Sequence, residues 1–167
     1  HSGTGRLPDV KTIIHQIRLL FNFSMPLKGK RVLITAGPTR EHIDPVRFIS
    51  NRSSGKMGYA IATAAKYFGG NVTLISGPVS LEKISGIKHI DIQTANDMKT
   101  SINNLLNKNH FDMIFMVAAV ADYTPNISSN NKIKSNKAEL HLNLIPTADI
   151  LKDIIKYKSL KIGFALE

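Results

Sequence analysis

Residues 37–58 form a polar stretch that is suited to holding a phosphate. The stretch follows an apolar segment and leads into one rich in small residues, as expected for a strand, a glycine-bearing loop and a helix. Free main-chain N–H groups and the positive end of the helix dipole would both face such a loop, which predicts an anion site. The candidate residues in it are Gly37, Arg40, Arg47, Asn51, Arg52, Ser53, Ser54, Gly55 and Gly58.

The loop matches neither of two common phosphate-binding patterns. A P-loop requires glycine five residues before Gly55, where this chain has Ser50. The distance between Gly37 and Gly55 is too long for the G-x-G-x-x-G pattern of dinucleotide-binding proteins. A long loop between well-formed elements is typical of a functional loop, although a solvated connection with ordinary surface charges also accounts for this composition.

The composition is that of one globular domain. The chain has 167 residues, 43% of them hydrophobic, which is enough for a core. It has no apolar run of about 18 residues and no signal-peptide pattern, so we expect no membrane association. It has no cysteine, which excludes disulfides and thiol nucleophiles within it and favours a cytoplasmic location. The six histidines have no paired spacing, so the metal ligands stay unknown.

The net charge of +10 predicts an anionic partner. The basic residues are scattered along the chain and do not interleave with aromatic residues, as they do on many nucleic-acid surfaces. A nucleotide or a phosphorylated metabolite is therefore a better candidate than nucleic acid.

Strand and helix patterns alternate along the whole chain. They predict an α/β, Rossmann-like, three-layer α/β/α fold with a mainly parallel sheet. Ligands of such sheets bind outside the carboxyl ends of the strands, so the loops after Ala36, Ala119 and Gly163 are expected to share one edge. The predicted strands are residues 32–35, 71–76, 88–94, 112–119, 139–145 and 160–166. The first predicted helix starts near Asp9, and three more are predicted at 59–67, 96–108 (with Asn96 as its N-cap) and 148–157. Residues 21–30 are predicted to form a linker, and residues 124–138 a mobile polar segment.

Several motifs resemble one family, the phosphopantothenate–cysteine ligase domain of bacterial bifunctional coenzyme A biosynthesis proteins. They occur in the family's order: residues 37–41 (GPTRE), 43–58 (IDPVRFISNRSSGKMG), 118–123 (AAVADY), 132–134 (KIK), 149–151 (DIL) and 163–165 (GFA). The resemblance implies a CTP- and Mg²⁺-dependent reaction. The carboxylate of 4′-phosphopantothenate would form an acyl-cytidylate, and cysteine would then displace CMP.

The resemblance also implies roles for individual residues. Asn51 would hold the acyl-cytidylate, Lys132 would close over the triphosphate from a flexible flap, and Asp122 would bind CTP. The remaining nucleotide contacts would come from Met116, Val117, Ala118, Ala148, Asp149, Ile150, Leu151 and Phe164. Thr147 and Ala148 stand where many relatives have Asn-Pro, which leaves the start of that helix open.

Simpler readings exist for most of these residues. Asn51 could be an ordinary turn residue, and Lys132 a solvated residue of a polar loop. Asp122 could be the N-cap of a helix, and Phe164 could be part of the core. Arg40, Arg47 and Arg52 are candidate ligands for the substrate phosphate, but ion pairs with Glu41 and Asp44 account for them as well. The whole chain could also be a nucleotide- or flavin-binding module without ligase activity.

The resemblance implies a division of the chain. Residues 1–29 would be the end of a flavin-dependent decarboxylase half plus a linker. Residues 30–167 would be the ligase domain, truncated at its C-terminus. FMN is expected only in the missing decarboxylase half, and relatives commonly form homodimers.

Overall fold

The computed structural model describes residues 8–20, 25–135 and 139–164. The helices are α1 (Val10–Leu20), α2 (Lys56–Tyr67), α3 (Ala95–Lys108) and α4 (Ile150–Ile154). The strands are β1 (Arg31–Ala36), β2 (Arg40–His42), β3 (Phe48–Ser50), β4 (Asn71–Ser76), β5 (Lys88–Asp91), β6 (Met113–Met116), β7 (Tyr123–Pro125), β8 (Leu144–Pro146) and β9 (Leu160–Gly163).

Five strands form the central parallel sheet in the order β5-β4-β1-β6-β9. The central strand β1 is buried from Val32 to its end and pairs on one side with β4 and on the other with β6. Near-continuous apolar strands of this kind are stable only when both faces of the sheet are covered. The order confirms that the loops after β1, β6 and β9 share one edge, because these three strands are neighbours with the same direction.

Helices cover the two faces with separate apolar clusters. Helix α2 packs on one face through Tyr59, Ala62 and Ala65. Helices α3 and α4 pack on the other face around Phe111 and Ile154. The small residues of α2 bring its axis close to β1, whereas larger side chains fill the opposite face. The three-layer α/β/α prediction is confirmed.

The predicted boundaries of α2, β5 and α3 are wrong, and the structure gives a reason for each. Helix α2 begins at Lys56, before the predicted start at residue 59, because its first turn follows directly from Gly55. Strand β5 ends at Asp91 because its only sheet neighbour, β4, ends at Ser76 in the same register. Helix α3 is capped by Thr94, not Asn96, since the Thr94 side chain and Asp97 form a reciprocal capping box.

The second half of the chain also departs from the predicted boundaries. Strand β6 ends at Met116, whose neighbour across the pair is Thr35 near the end of β1. The alternating residues 139–145 contribute only Leu144 and Ile145 to a strand, because β8 pairs with the three-residue strand β7 alone. Helix α4 spans only Ile150–Ile154 and is capped by Asp149.

Two short antiparallel ribbons, β2–β3 and β7–β8, lie outside the main sheet. Neither ribbon was predicted, although the predicted strand 139–145 overlaps β8, because β2, β3 and β7 have too few residues for a recognisable periodicity. Parts of four predictions lie outside the described residues: the decarboxylase remnant (1–7), the linker (21–24), the polar segment (136–138) and the last strand (165–166). No helix in the described ranges is both long and apolar enough to cross a membrane.

Candidate functional site

The chain after β1 and the chain after β6 are joined to each other at the edge of the sheet. The Ala119 N–H donates to the Gly37 carbonyl at 2.9 Å, and the Thr39 N–H donates to the Ala119 carbonyl at 3.2 Å. Pro38 and Ala119 thus form a parallel bridge beyond the regular strands. This connection holds the polar loop that begins at Gly37 against the loop that follows Met116.

Two buried threonines strengthen the same junction. Thr35 Oγ1 accepts hydrogen bonds from the N–H groups of Val117 (3.0 Å) and Ala118 (3.1 Å). Thr39 Oγ1 accepts one from the N–H of Ala121 at 3.0 Å. Both threonines are fully buried, and their hydroxyl oxygens are the acceptors of these three N–H groups. Neither threonine was identified from the sequence, although the hydroxyl of Thr35 near the end of the otherwise apolar β1 was a usable signal.

Replacing Thr35 by the nearly isosteric valine is expected to lower the free energy of unfolding by about 2 kcal/mol, because the half-buried N–H groups of Val117 and Ala118 lose their acceptor. Urea denaturation of the variant measures this change. Thr63→Val is the matched control, since Thr63 is exposed on α2 and its hydroxyl donates to the Tyr59 carbonyl within the same helix. The control should change by less than about 0.5 kcal/mol. Equal effects of the two substitutions would contradict this account of Thr35.

Asn51 connects the polar loop to the chain after β6. Its Nδ2 donates to the carbonyl oxygen of Val120 at 3.1 Å, although the residue is exposed overall. The bond joins residues 69 positions apart, so Asn51 is not only the local turn residue of the simpler reading. Its amide therefore lies at the carboxyl ends of β1 and β6, beside the stretch that contains Met116, Val117, Ala118 and Asp122.

The start of α2 lies close against β1. A Cβ atom on Gly58 would lie 2.5 Å from the Cβ of Ala36, so only glycine permits this approach. Gly55, with φ 75°, precedes the helix and has no side-chain cap. The hydroxyl oxygens of Ser53 and Ser54 lie 3.3 Å and 3.5 Å from the main-chain nitrogens of Gly55 and Lys56. The first turn of α2 therefore presents main-chain N–H groups beside the loop.

The three candidate arginines have different surroundings. Arg47 binds Asp44 through its guanidinium and donates to the Ile133 carbonyl at 2.9 Å. Arg40 places its guanidinium 4.6 Å from the ring centre of Phe48. Arg52 is exposed in the loop between β3 and α2. Of the ion pairs considered for these arginines, the one between Arg47 and Asp44 is therefore present. Glu41 is buried and accepts from the N–H of Ala95.

The segment before α4 is attached to the loop that follows β6. Thr147 Oγ1 donates to the Ala121 carbonyl at 2.6 Å, and the Thr147 N–H donates to the Asp122 carbonyl at 2.8 Å. Asp149 Oδ1 accepts from the Lys152 N–H at 3.1 Å as the N-cap of α4. Thr147 was noted in the sequence only as a departure from relatives, but its side chain orients this helix start.

The remaining candidates lie around this edge with differing exposure. Ala148 and Leu151 are exposed beside the buried Ile150. Phe164 follows β9, donates its N–H to the Met116 carbonyl and is 46% exposed, so the core reading does not hold. Asp122 is exposed and precedes β7, a strand, so the N-cap reading fails too. Lys132 is exposed in the segment before residue 136.

The described residues contain no group of three or more His, Asp or Glu side chains arranged to hold a metal ion. Mg²⁺ is often bound by one or two carboxylates together with the phosphates of a substrate. The described residues could bind Mg²⁺ only in this way. Asp122 is an exposed carboxylate at this edge that could serve in that way.

Known proteins are similar to this chain over nearly its whole length. Residues 27–167 match the family described as DNA/pantothenate metabolism flavoprotein C-terminal domain. The chain is 44% identical over 170 residues to the coenzyme A biosynthesis bifunctional protein CoaBC of Bacillus subtilis (strain 168), covering 99% of this chain and 41% of that protein. It is 42% identical over 172 residues to CoaBC of Escherichia coli (strain K12), covering 99% of this chain and 42% of that protein. The chain therefore spans less than half the length of these relatives.

Solved structures have the same fold. A crystal structure of the C-terminal domain of CoaBC superposes with a TM-score of 0.73 at 43% identity, covering 87% of this chain and 68% of that one. A Cab2 variant in complex with phosphopantothenate-cysteine superposes with a TM-score of 0.66, covering 95% of this chain and 71% of that one. At 17% identity the second likeness concerns the fold alone. From its sequence match and its architecture, the chain belongs to the family of DNA/pantothenate metabolism flavoprotein C-terminal domains.

Proposed function

We propose that this chain carries the site that ligates 4′-phosphopantothenate to cysteine with CTP in coenzyme A biosynthesis. The observation that carries the proposal is the 3.1 Å hydrogen bond from Asn51 Nδ2 to the Val120 carbonyl. It places a polar amide between the glycine-bearing loop and the carboxyl end of β6, in a chain of this family. That position is where parallel α/β sheets bind their ligands.

In the first step of the proposed reaction, a carboxylate oxygen of 4′-phosphopantothenate attacks the α-phosphorus of CTP. The new acyl–phosphate bond forms as the α–β phosphoanhydride breaks, and pyrophosphate leaves. Lys132 would place its ammonium over the triphosphate, and the N–H groups at the start of α2 would face a phosphate. These groups stabilise the negative charge that develops on the phosphoryl oxygens.

In the second step, the cysteine amine attacks the acyl carbon, CMP leaves and the nitrogen loses a proton, which forms the amide. Asn51 would hold the acyl-cytidylate, since its amide group both donates and accepts hydrogen bonds. Keeping this mixed anhydride fixed and away from water favours the amine over hydrolysis.

The nucleotide would lie along the chain that follows β6. Met116, Val117 and Ala118 would lie along the nucleotide, where Ala118 has a small side chain, and Asp122 offers a carboxylate. The start of α4, at Ala148, Asp149, Ile150 and Leu151, and the exposed Phe164 would complete the nucleotide contacts. Arg40 and Arg52 are the stronger candidates for the substrate phosphate, because the guanidinium of Arg47 already binds Asp44. Gly37, Ser53, Ser54, Gly55 and Gly58 would shape that part of the site.

The proposal extends to the protein as a whole. Residues 30–167 would be the ligase domain, and residues 1–29 the end of a decarboxylase half that uses FMN. Mg²⁺ would bind with the nucleotide and would supply charge neutralisation for its phosphates. The protein would act in the cytoplasm as a homodimer, without a nucleic-acid partner.

Calorimetric titration with CTP in the presence of Mg²⁺ tests the nucleotide half of the proposal. We expect CTP to bind at least about tenfold more tightly than ATP, which corresponds to a difference of about 1.4 kcal/mol. Formation of phosphopantothenoylcysteine from its three substrates tests the chemistry in the full-length protein. Equal binding of CTP and ATP would contradict the ligase proposal. CTP binding without product would favour the nucleotide-binding module instead.

A further inference from the structure

Asp44 is a buried carboxylate outside the groups assigned to the proposed reaction. It lies in the turn between β2 and β3 and is 1% exposed. A charge in such a position is stable only when it is paired and hydrogen-bonded. The hydrogen bonds of Asp44 therefore indicate its structural role.

One oxygen of Asp44 serves its own turn. Oδ1 accepts hydrogen bonds from the N–H groups of Val46 and Arg47, both at 2.8 Å. A local turn of this kind is common for aspartate, and it would be complete with this oxygen alone.

The other oxygen makes a contact that is remote in sequence. Oδ2 accepts hydrogen bonds from Arg47 Nε at 3.0 Å and from the Ile133 N–H at 3.1 Å. Ile133 is 89 positions away from Asp44 in the sequence. Arg47 Nη2 binds the same carboxylate and also donates to the Ile133 carbonyl at 2.9 Å. Both main-chain polar groups of Ile133 are thus bound by one ion pair. We call Asp44, Arg47 and Ile133 the clasp.

A second attachment lies next to the clasp. The Ser129 N–H donates to the Ile43 carbonyl at 2.9 Å. Lys132 lies between the two attached residues, Ser129 and Ile133, and is itself exposed. Its position relative to the loop that carries Asn51 therefore depends on these attachments.

We infer that Asp44 is a positioning residue whose carboxylate, together with Arg47, fixes the main chain at Ile133 and thereby places Lys132 beside the nucleotide site. The inference rests on the proposed function for the role of Lys132, but the attachment itself can be tested without any substrate.

The electrostatics favour a charged, hydrogen-bonded Asp44, so the segment around Lys132 would be held at Ile133 and would not be flexible throughout, in contrast to the flexible flap that the resemblance implied. The hydrogen bonds from Arg47 outweigh the effect of burial and hold the pKa of Asp44 far below its usual range. The carboxylate is therefore charged throughout the neutral range. The guanidinium of Arg47 is the cation that faces it, so the charge is balanced at the site.

Limited trypsin digestion tests the attachment directly, because trypsin cleaves after Lys132 and Lys134 on either side of Ile133. In the full-length protein, Asp44→Asn should raise the cleavage rate at these two sites by about 10- to 100-fold, since hydrogen bonds to a charged group are lost. Cleavage after the exposed Lys158 provides a reference within the same molecule. An unchanged ratio of the two rates would overturn the inference.

Asp112→Asn is the matched control. Asp112 also accepts from a main-chain N–H, that of Arg31 at 2.8 Å, and pairs with Lys30 at 3.1 Å, but it lies at the opposite end of the sheet. The control should leave the cleavage ratio unchanged. Should Asp44→Asn fail to fold, Arg47→Lys replaces it, because lysine keeps a cation beside Asp44 but cannot bind Asp44 and the Ile133 carbonyl as a fork. An unchanged ratio in Arg47→Lys would equally overturn the inference.

Steady-state kinetics separate positioning from a general loss of folded protein. In Asp44→Asn we expect the KM for CTP to rise about tenfold while the KM for cysteine stays unchanged, because Lys132 faces only the triphosphate. A purely structural role would lower the amount of active enzyme and leave both KM values unchanged, which would overturn the inference. If the wild-type protein has no ligase activity, the proposed function fails, and the digestion result still decides the role of Asp44.

Discussion

Replacing Gly77 by alanine is expected to destabilise the protein by at least about 3 kcal/mol, at the upper end of the cost of overpacking. A Cβ atom at Gly77 would lie 1.7 Å from the carbonyl oxygen of Pro38 and 2.8 Å from its carbonyl carbon. Both are main-chain atoms that cannot rotate away. The Gly77 N–H also donates to the Ala36 carbonyl at 2.9 Å, so the two chain segments cannot separate without losing that bond.

Thermal and urea unfolding measure this loss of stability. A change of this size corresponds to a drop in Tm of roughly 6–12 °C for a chain of this length. Gly163→Ala is the matched control, because a Cβ atom there meets nothing within 4 Å among the residues that the structure describes, and Gly163 needs no positive φ. The control should change stability by less than about 1 kcal/mol. A Gly77→Ala variant as stable as Gly163→Ala would show that Pro38 moves freely, and that the close contact does not hold the loop.

The same substitution has a consequence for the site. Pro38 precedes Thr39, whose hydroxyl oxygen accepts from the Ala121 N–H and whose carbonyl accepts from Ser50 Oγ at 2.7 Å. Displacing Pro38 therefore moves the residue before Asn51 as well as the chain after β6. We expect the affinity for CTP to fall together with the stability.

Replacing Asn51 by aspartate is expected to reduce formation of phosphopantothenoylcysteine by about 100-fold or more, the usual effect of removing one positioned donor at a reacting group. The Nδ2 group that donates to the Val120 carbonyl is lost, and a carboxylate oxygen takes its place against that carbonyl. The new negative charge also repels the phosphate of the acyl-cytidylate. The proposed reaction would then stop after this intermediate or before it.

Product formation in the full-length protein measures the effect, and release of pyrophosphate separates the two steps. Pyrophosphate without amide would place the defect at the second step. Loss of both would place it at the first. Asn104→Asp is the control, since Asn104 is exposed on α3 and the change in charge is identical. The control should keep its activity, and an Asn51→Asp variant with unchanged amide formation would remove Asn51 from the site.

The layered architecture could be predicted from the sequence because each main element has a local signal. The apolar residues of β1 and β4 and the helical spacing of the buried face of α3 were identified correctly. Burial of both sheet faces imposes these patterns on the chain residue by residue. The edge that holds the site then follows from the direction of parallel strands, without knowledge of any side-chain contact.

Hydrogen bonds between distant parts of the chain could not be predicted in this way. The hydrogen bonds that Thr35 and Thr39 accept, the attachment of Ile133 to Asp44 and the two short ribbons all join residues that no periodic pattern relates. The capping of α3 by Thr94 was missed because Thr94 and Asn96 are both residue types that cap helices, and only the geometry of the capping box decides between them.

The sequence by itself determined the class of fold, the edge of the sheet at which we propose that ligands bind, and the residues of the polar loop. Those features depend on burial and strand direction, which local patterns encode. Only the tertiary structure decided which loop residues meet the chain after β6, and that Arg47 binds Asp44 and Ile133. Such pairings depend on the distance between elements in space, and this distance is set by packing, such as the close approach of Gly58 to Ala36.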